Sequence, residues 1–200
     1  NAEFIPSLPL SRASRLSTIE HGLVEYSKKY GGYIAISIDA AWKEKRWPEN
    51  RFIELSSKLA RDGYGIVFLS STKLNSLEGI SLSSLVLDLT GKLNTQEFIK
   101  VLEMASLTIC NDSSALHISE TFGVKVVSIF GPTTRAVGFG PRLIYSRIVD
   151  AKLWCRPCSK SGRWCHRIGK NKQLCIKLVT VEQVYKNCCE ILGNSRVSVK

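Results

Sequence analysis

Four cysteines, Cys155, Cys158, Cys165 and Cys175, follow the spacing C-x2-C-x6-C-x9-C. Thiolates at such intervals can hold a divalent metal, and four of them around one ion carry a formal charge of about −2 that nearby cations stabilise. A structural zinc or iron is the expected occupant; four free thiols and disulfide pairs are the alternatives. Nothing in the sequence indicates export, and a reducing compartment favours metal over disulfides. Pro157, Gly162 and Gly169 suit tight ligand-bearing turns. Cys110, Cys188 and Cys189 sit in apolar strand or helix patterns and are expected to pack as small hydrophobes.

Two further stretches could bind an anion. In Ala40-Ala41-Trp42-Lys43-Glu44-Lys45-Arg46-Trp47-Pro48, three cations stand at the junction of a strand end and a helix start. Exposed backbone NH groups and two tryptophans there would make an anion site with flat apolar surface beside it. The competing reading is a solvated loop with Trp47 plugging the core. In Ile109-Cys110-Asn111-Asp112-Ser113-Ser114-Ala115-Leu116-His117, a buried strand runs into preferred N-capping residues. The unpaired NH groups of that helix start, with the Ser113 and Ser114 hydroxyls, could hold a pyrophosphate, and His117 follows one turn later. Phe130-Gly131-Pro132-Thr133-Thr134 ends the next strand, so three loops are expected on one rim.

The elements that must position these residues alternate. Helical periodicity runs from Arg12 to Lys29 (Leu16, Ile19, Leu23, Tyr26) and stops at Gly31-Gly32. A helix opened by Pro48 through Arg61, one capped by Thr95 and running through Met104 and one over Ser113–Phe122 follow, with Val181–Leu192 closing the chain. Strands are expected at Tyr33–Ile38, Gly65–Ser70, Leu85–Leu89, Leu107–Cys110, Val124–Phe130 and Ile144–Val149. Such alternation predicts an α/β fold, a Rossmann-like, mostly parallel sheet with helices on both faces, whose ligands bind beyond the carboxyl ends of the strands.

With 200 residues, 44% apolar and 22% charged, the chain is long enough for a real core without staples. The longest apolar runs are strand-sized, well short of a bilayer span. No secretory signal is expected at the start, and the absence of an initiator Met fits a piece of a longer polypeptide. Secreted, membrane-spanning and fibrous classes are therefore not expected. The net charge of +11 is uneven: ten basic residues and Asp150 alone lie between Arg142 and Lys177. That block is either a solvated surface or a footprint for phosphates on nucleic acid, lipid or a small ligand.

Lys45-Arg46-Trp47-Pro48, Leu89-Thr90-Gly91-Lys92, Asn111-Asp112-Ser113 with His117, and Ile129-Phe130-Gly131-Pro132-Thr133 occur in an order and spacing that resembles glycosyltransferase family 9, the ADP-heptose:lipopolysaccharide heptosyltransferases. The resemblance runs from about Tyr33 to Leu192, and some members carry a similar cysteine-rich segment. It implies the C-terminal half of a GT-B fold: residues 1–30 as a linker or helix from the first half, and residues 31–200 as a Rossmann-like nucleotide-sugar domain with a four-cysteine insert at 154–178. It implies inverting transfer from an ADP-heptose-like donor to a lipopolysaccharide or lipid A precursor, at the inner face of the cytoplasmic membrane. Lys45 would neutralise the diphosphate; Asp112, Ser113, Ser114 and His117 would cradle phosphates and sugar; Thr90 and Gly91 would lie along the nucleotide; Gly131 and Thr133 would wall the sugar pocket. The catalytic base would come from the other half, no catalytic metal is expected, and a cysteine-bound ion would be structural.

The sequence departs from the family pattern at Ser37-Ile38-Asp39-Ala40, at Ser114-Ala115 and at Thr134-Arg135. Asp39 puts a negative charge near the expected phosphates unless Lys43, Lys45 or Arg46 pairs with it, and Glu78 is the candidate to hold the ribose. Two other classes compete: a noncatalytic relative serving as an assembly module, and a basic nucleic-acid-binding protein with a four-cysteine metal site. The lack of the regular aromatic interleaving of a stacking platform argues against nucleic acid. An anionic membrane is the partner expected for the basic block.

Overall fold

The computed structural model describes residues 12–77, 84–137 and 139–193. Six strands, β1 (Tyr33–Ser37), β2 (Gly65–Leu69), β3 (Val86–Asp88), β4 (Leu107–Asn111), β5 (Val126–Phe130) and β6 (Arg147–Asp150), form one sheet in the order β3-β2-β1-β4-β5-β6. All five pairings are parallel, with Ile34 opposite both Ile66 and Leu107. Strands β1, β2, β4 and β5 are buried along their whole length. Their unbroken apolar runs are those of strands covered on both faces.

Alternate residues feed two cores. On one face Ile34, Ile36, Val127 and Ile129 meet Phe52 and Leu55 of α2 (Glu49–Arg61) and Val184 and Cys188 of α6 (Val181–Leu192). On the other, Tyr33, Ala35, Val126 and Phe130 meet α1 (Arg12–Tyr30), α3 (Thr95–Glu103) and α4 (Ser114–Thr121). α1 is an integral part of this layer: Ile19 and Leu23 are fully buried, and the Tyr26 hydroxyl accepts from the Ile66 amide. A four-residue helix, α5 (Leu174–Lys177), precedes α6.

Several boundaries differ from the sequence reading. The cap of α3 is Asn94, not Thr95: its side chain accepts from the Glu97 amide while the Glu97 carboxylate accepts from the Asn94 amide. Tyr145 and the 92% exposed Ile144 stay outside the last strand, which starts at Arg147. The fifth strand begins at Val126, because Val124 closes the turn after α4 by donating to the Ser119 carbonyl.

The chain winds from β1 outward to β3, then returns to the middle and winds from β4 outward to β6. The crevice between β1 and β4 is the switch point where ligands enter such sheets.

Candidate functional site

A cavity of about 550 Å3 opens at that point. Its wall is drawn from the loop after β1 (Asp39, Ala40, Ala41, Arg46), the end of β2 (Ser70, Ser71), the start of α3 (Leu93, Asn94, Phe98) and the start of α4 (Ser113, Ser114). Polar hydroxyls and one cation thus face an apolar side, the mixture expected of a small-molecule site.

The β1 loop is held by its tryptophan. Trp47 is buried, packs edge-on to Phe52 at 4.9 Å and donates its indole NH to the Val179 carbonyl at 2.9 Å. Trp47 therefore plugs the core, as the alternative reading had it. Its backbone amide donates to Asn111 Oδ1 at 2.9 Å, and Asn111 Nδ2 donates to the Ile38 carbonyl at 2.7 Å. One buried amide side chain thus ties the end of β4 to the loop that leaves β1.

Lys45 and the start of α4 do lie together, but through Asp112. The Lys45 ammonium sits 2.6 Å from Asp112 Oδ2, which also accepts from the Thr133 hydroxyl at 2.6 Å. Both members of the ion pair are buried. Gly162 roofs the site: a Cβ there would fall 2.8 Å from Lys45 Cε and 2.9 Å from Thr133 Cγ2, and φ is +70°. The ammonium is thus spent on a carboxylate under a glycine lid, whereas the exposed Arg46 lines the cavity. Arg46 donates its Nε to the Ala40 carbonyl at 3.1 Å, which turns the loop back on itself. Among the described residues no cation pairs with Asp39; its carboxylate accepts from the Ser71 amide at 2.6 Å and the Ser70 hydroxyl at 3.2 Å.

The other expected residues divide. Ser113 and Ser114 line the cavity, while His117 is exposed further along α4. Thr90 is buried and braces a neighbouring loop, donating to Asp88 Oδ1 and accepting from the Leu74 amide at 3.2 Å. Gly91, at φ +67°, lets the backbone of Lys73 approach to 2.7 Å of where a Cβ would stand. Gly131 packs against Ile176 of α5. Glu78 lies outside the described residues. Sequence reasoning passed over Ser70, Ser71, Asn94 and Phe98, though a polar pair just beyond an apolar strand was the signal for the first two.

The cysteine segment is bolted to the same edge. Arg156 reaches from it to the Gly131 carbonyl, the Thr133 carbonyl at 2.7 Å and Asp150 Oδ2 at 2.8 Å. The Cys158 amide donates to the Pro132 carbonyl at 2.9 Å. The four thiols do not converge as ligands: among the described residues no group of three or more His, Cys, Asp and Glu is placed to hold a metal ion. The sulfurs are engaged otherwise, Cys155 accepting from Arg167 Nε at 3.3 Å and Cys165 from the Gln173 amide at 3.2 Å. Burial first, and then the neighbouring Cys158, pushes the Cys175 thiol up to about 11. Burial, followed by Cys155 and Cys165, raises Cys158.

Residues 6–166 match the sequence model of glycosyltransferase family 9 (heptosyltransferase). Lipooligosaccharide heptosyltransferase 2 of Haemophilus influenzae is 25% identical over 97 residues, which is 45% of this chain and 28% of that protein. The fold of Escherichia coli ADP-heptose lipopolysaccharide heptosyltransferase II superposes with TM-score 0.62 at 17% identity, covering 94% of this chain and 53% of that one. The dodecameric iron-containing heptosyltransferase TibC of enterotoxigenic E. coli, solved with ADP-D-β-D-heptose, gives TM-score 0.64 at 20% identity, covering 80% and 45%. The chain thus spans about half the length of these solved relatives. With most of its residues inside the matched span, the chain belongs to glycosyltransferase family 9, the heptosyltransferase family.

Proposed function

We propose that this chain is the donor half of an inverting glycosyltransferase of lipopolysaccharide core assembly, and that its cavity holds an ADP-heptose-like nucleotide sugar. The observation that carries the reading is the joint placement of Arg46 and the start of α4 on one side of a cavity at the sheet's switch point. Backbone NH groups at Ser113 and Ser114 and the Arg46 guanidinium would meet the diphosphate, where negative charge grows as the glycosidic bond to the leaving ADP breaks. Lys45 and Asp112 stand behind that helix start as an ion pair of no net charge, and the Thr133 hydroxyl holds the same carboxylate. A carboxylate of the other half would take the proton of the attacking acceptor hydroxyl.

The test is calorimetric titration of the chain with ADP. Binding is expected, with Arg46→Ala weakening it about tenfold, as fits loss of one charge-assisted contact. Absence of any nucleotide binding overturns the reading; binding without turnover in the presence of a complementary half favours a noncatalytic relative.

For the cysteine segment, the reading is a structural iron or zinc ion. The thiol spacing, the NH groups aimed at two of the sulfurs, and the likeness to an iron-containing relative support it. Closing such a site requires the four sulfurs to draw together. Elemental analysis of the purified chain, with loss of metal in Cys155→Ser and Cys165→Ser, is the check; a metal-free protein with unaltered stability overturns it.

The basic block supports an anionic membrane as the place of work, on the inner face of the cytoplasmic membrane. Between Asp150 and Glu182 there is no acidic residue, while Trp154 and Ile168 are 90% and 86% exposed. Cations interleaved with exposed indole suit a lipid headgroup layer.

A further inference from the structure

We propose that Arg156, inside the cysteine segment, is a positioning residue of the nucleotide site, acting through the loop after β5 on the start of α4; the assignment rests on the donor-site reading above. Every carbonyl of that loop from Phe130 to Thr133 is taken by the cysteine segment. Arg156 donates Nε to the Gly131 carbonyl, and Nη2 to the carbonyls of Thr133 at 2.7 Å and Phe130 at 3.5 Å. The Cys158 amide takes the Pro132 carbonyl at 2.9 Å. The other edge of the guanidinium, Nη1, donates to Asp150 Oδ2 at 2.8 Å and to the Ala151 carbonyl, which anchors it at the end of β6. The side chain is 4% exposed. A planar fork held from both edges fixes direction as well as distance, which an ammonium on a flexible stem cannot do.

The loop so held reaches the helix start through one side chain. Thr133, fully buried, donates its hydroxyl to Asp112 Oδ2 at 2.6 Å, the oxygen that Lys45 also contacts. Asp112 immediately precedes Ser113, the cap of α4, and its own amide donates to the Ile129 carbonyl at 3.1 Å. Its backbone and its carboxylate are therefore both tied to β5 and the loop beyond. The Ser113 side chain makes no capping hydrogen bond, so the direction of the Ser113 and Ser114 NH groups is set by the residue before them. Gly162 of the same segment bears on this assembly from another side: a Cβ there would fall 2.8 Å from Lys45 Cε, 2.9 Å from Thr133 Cγ2 and 3.0 Å from Pro132 Cγ. An anion read by backbone NH groups is sensitive to where they point. The apolar wall of the cavity, with Leu93 and Phe98, stands on the opposite side, on residues that Arg156 does not bond. Arg156 thus bears on the diphosphate end of the ligand and not on its base.

The test titrates the chain with ADP by calorimetry and with adenosine by saturation-transfer NMR, in wild type, Arg156→Lys and Gly162→Ala, at a temperature where circular dichroism shows each variant folded. Arg156→Lys keeps the charge and removes the fork. Gly162→Ala leaves Arg156 in place and presses on Lys45 and Thr133 instead. Both variants are expected to weaken ADP about tenfold, the worth of about one charge-assisted hydrogen bond, and to leave adenosine within about twofold of wild type. A brace that serves stability alone leaves the ratio of ADP to adenosine affinity at its wild-type value, and that result overturns the assignment. Unaltered ADP affinity in Arg156→Lys overturns it as well. Should Arg156→Lys not fold, Asp150→Asn, which loosens the outer edge of the fork, takes its place, with a fall in that ratio of about threefold expected and no fall counting against the assignment. Only failure of the wild type to bind ADP at all strikes the parent reading.

Discussion

Lys45 and Arg46 are neighbours with opposite duties, and their substitution separates stability from binding. Lys45→Ala leaves Asp112 buried beside Thr133 without its cation, a change that costs about 3–5 kcal/mol in comparable sites. Urea denaturation is expected to register that loss, while Arg46→Ala, on an exposed side chain, lowers the unfolding free energy by less than about 0.5 kcal/mol. Equal stability of the two variants contradicts the pairing. Cys110 supplies a pH signature: burial pushes its thiol up to about 12 from a reference of 9.0. The folded chain keeps this proton while the unfolded chain releases it, so stability is full below pH 9 and falls as pH rises toward 12. The slope is about 1.4 kcal/mol per pH unit for this group. Urea midpoints at pH 8.5, about 9.5 and about 10.5 are expected to fall less steeply in Cys110→Ala. At this scale the sequence was legible where a residue's job is local, as at Ser113 and Ser114, whose types announce a helix start. It was opaque for Lys45: a lysine in a cationic loop reads as exposed, and only tertiary packing brings Asp112, Thr133 and Gly162 around it.

Among the elements, α3 shows how a polar start can be part of the core. Glu97 is fully buried, yet it closes the capping box with Asn94 and takes the Arg15 Nε at 2.6 Å from α1. Asn94→Ala removes the cap and is expected to cost about 1 kcal/mol, with Asn94→Gly costing less. Thermal melts of the two variants give the check; identical losses would mean that the amide side chain does not cap. Because Asn94 also lines the cavity, its alanine variant is the one to pair with nucleotide titrations. Strand and helix positions were readable from periodicity, since two-sided burial writes continuous apolar runs and amphipathic helices repeat every three to four residues. The ends were read less well. Ile144 and Tyr145 have strand chemistry but stand outside the sheet, because nothing local distinguishes an apolar residue at a surface from one entering a ladder.

For the whole molecule, charge segregation gives the clearest expectation. Eight cations and no acid lie between Ala151 and Val181, at the edge of the sheet that ends in β6. Sedimentation is expected with vesicles containing phosphatidylserine and not with phosphatidylcholine alone, and raising salt from about 0.05 M to about 0.5 M is expected to release the protein. Equal partition to both vesicles removes the membrane assignment. The mostly parallel sheet followed from alternating elements, but the seating of the cysteine segment did not, since Arg156 finds its carbonyl partners only once β5 and β6 lie side by side. The buried amide of Asn111 reaches further than its size suggests. It stitches the wing built on β1 to the wing built on β4, with a donor on one side and an acceptor on the other. An aspartate of the same shape could not donate to Ile38, and a leucine could satisfy neither neighbour. The spacing of these two wings at the crevice is therefore held by one planar group.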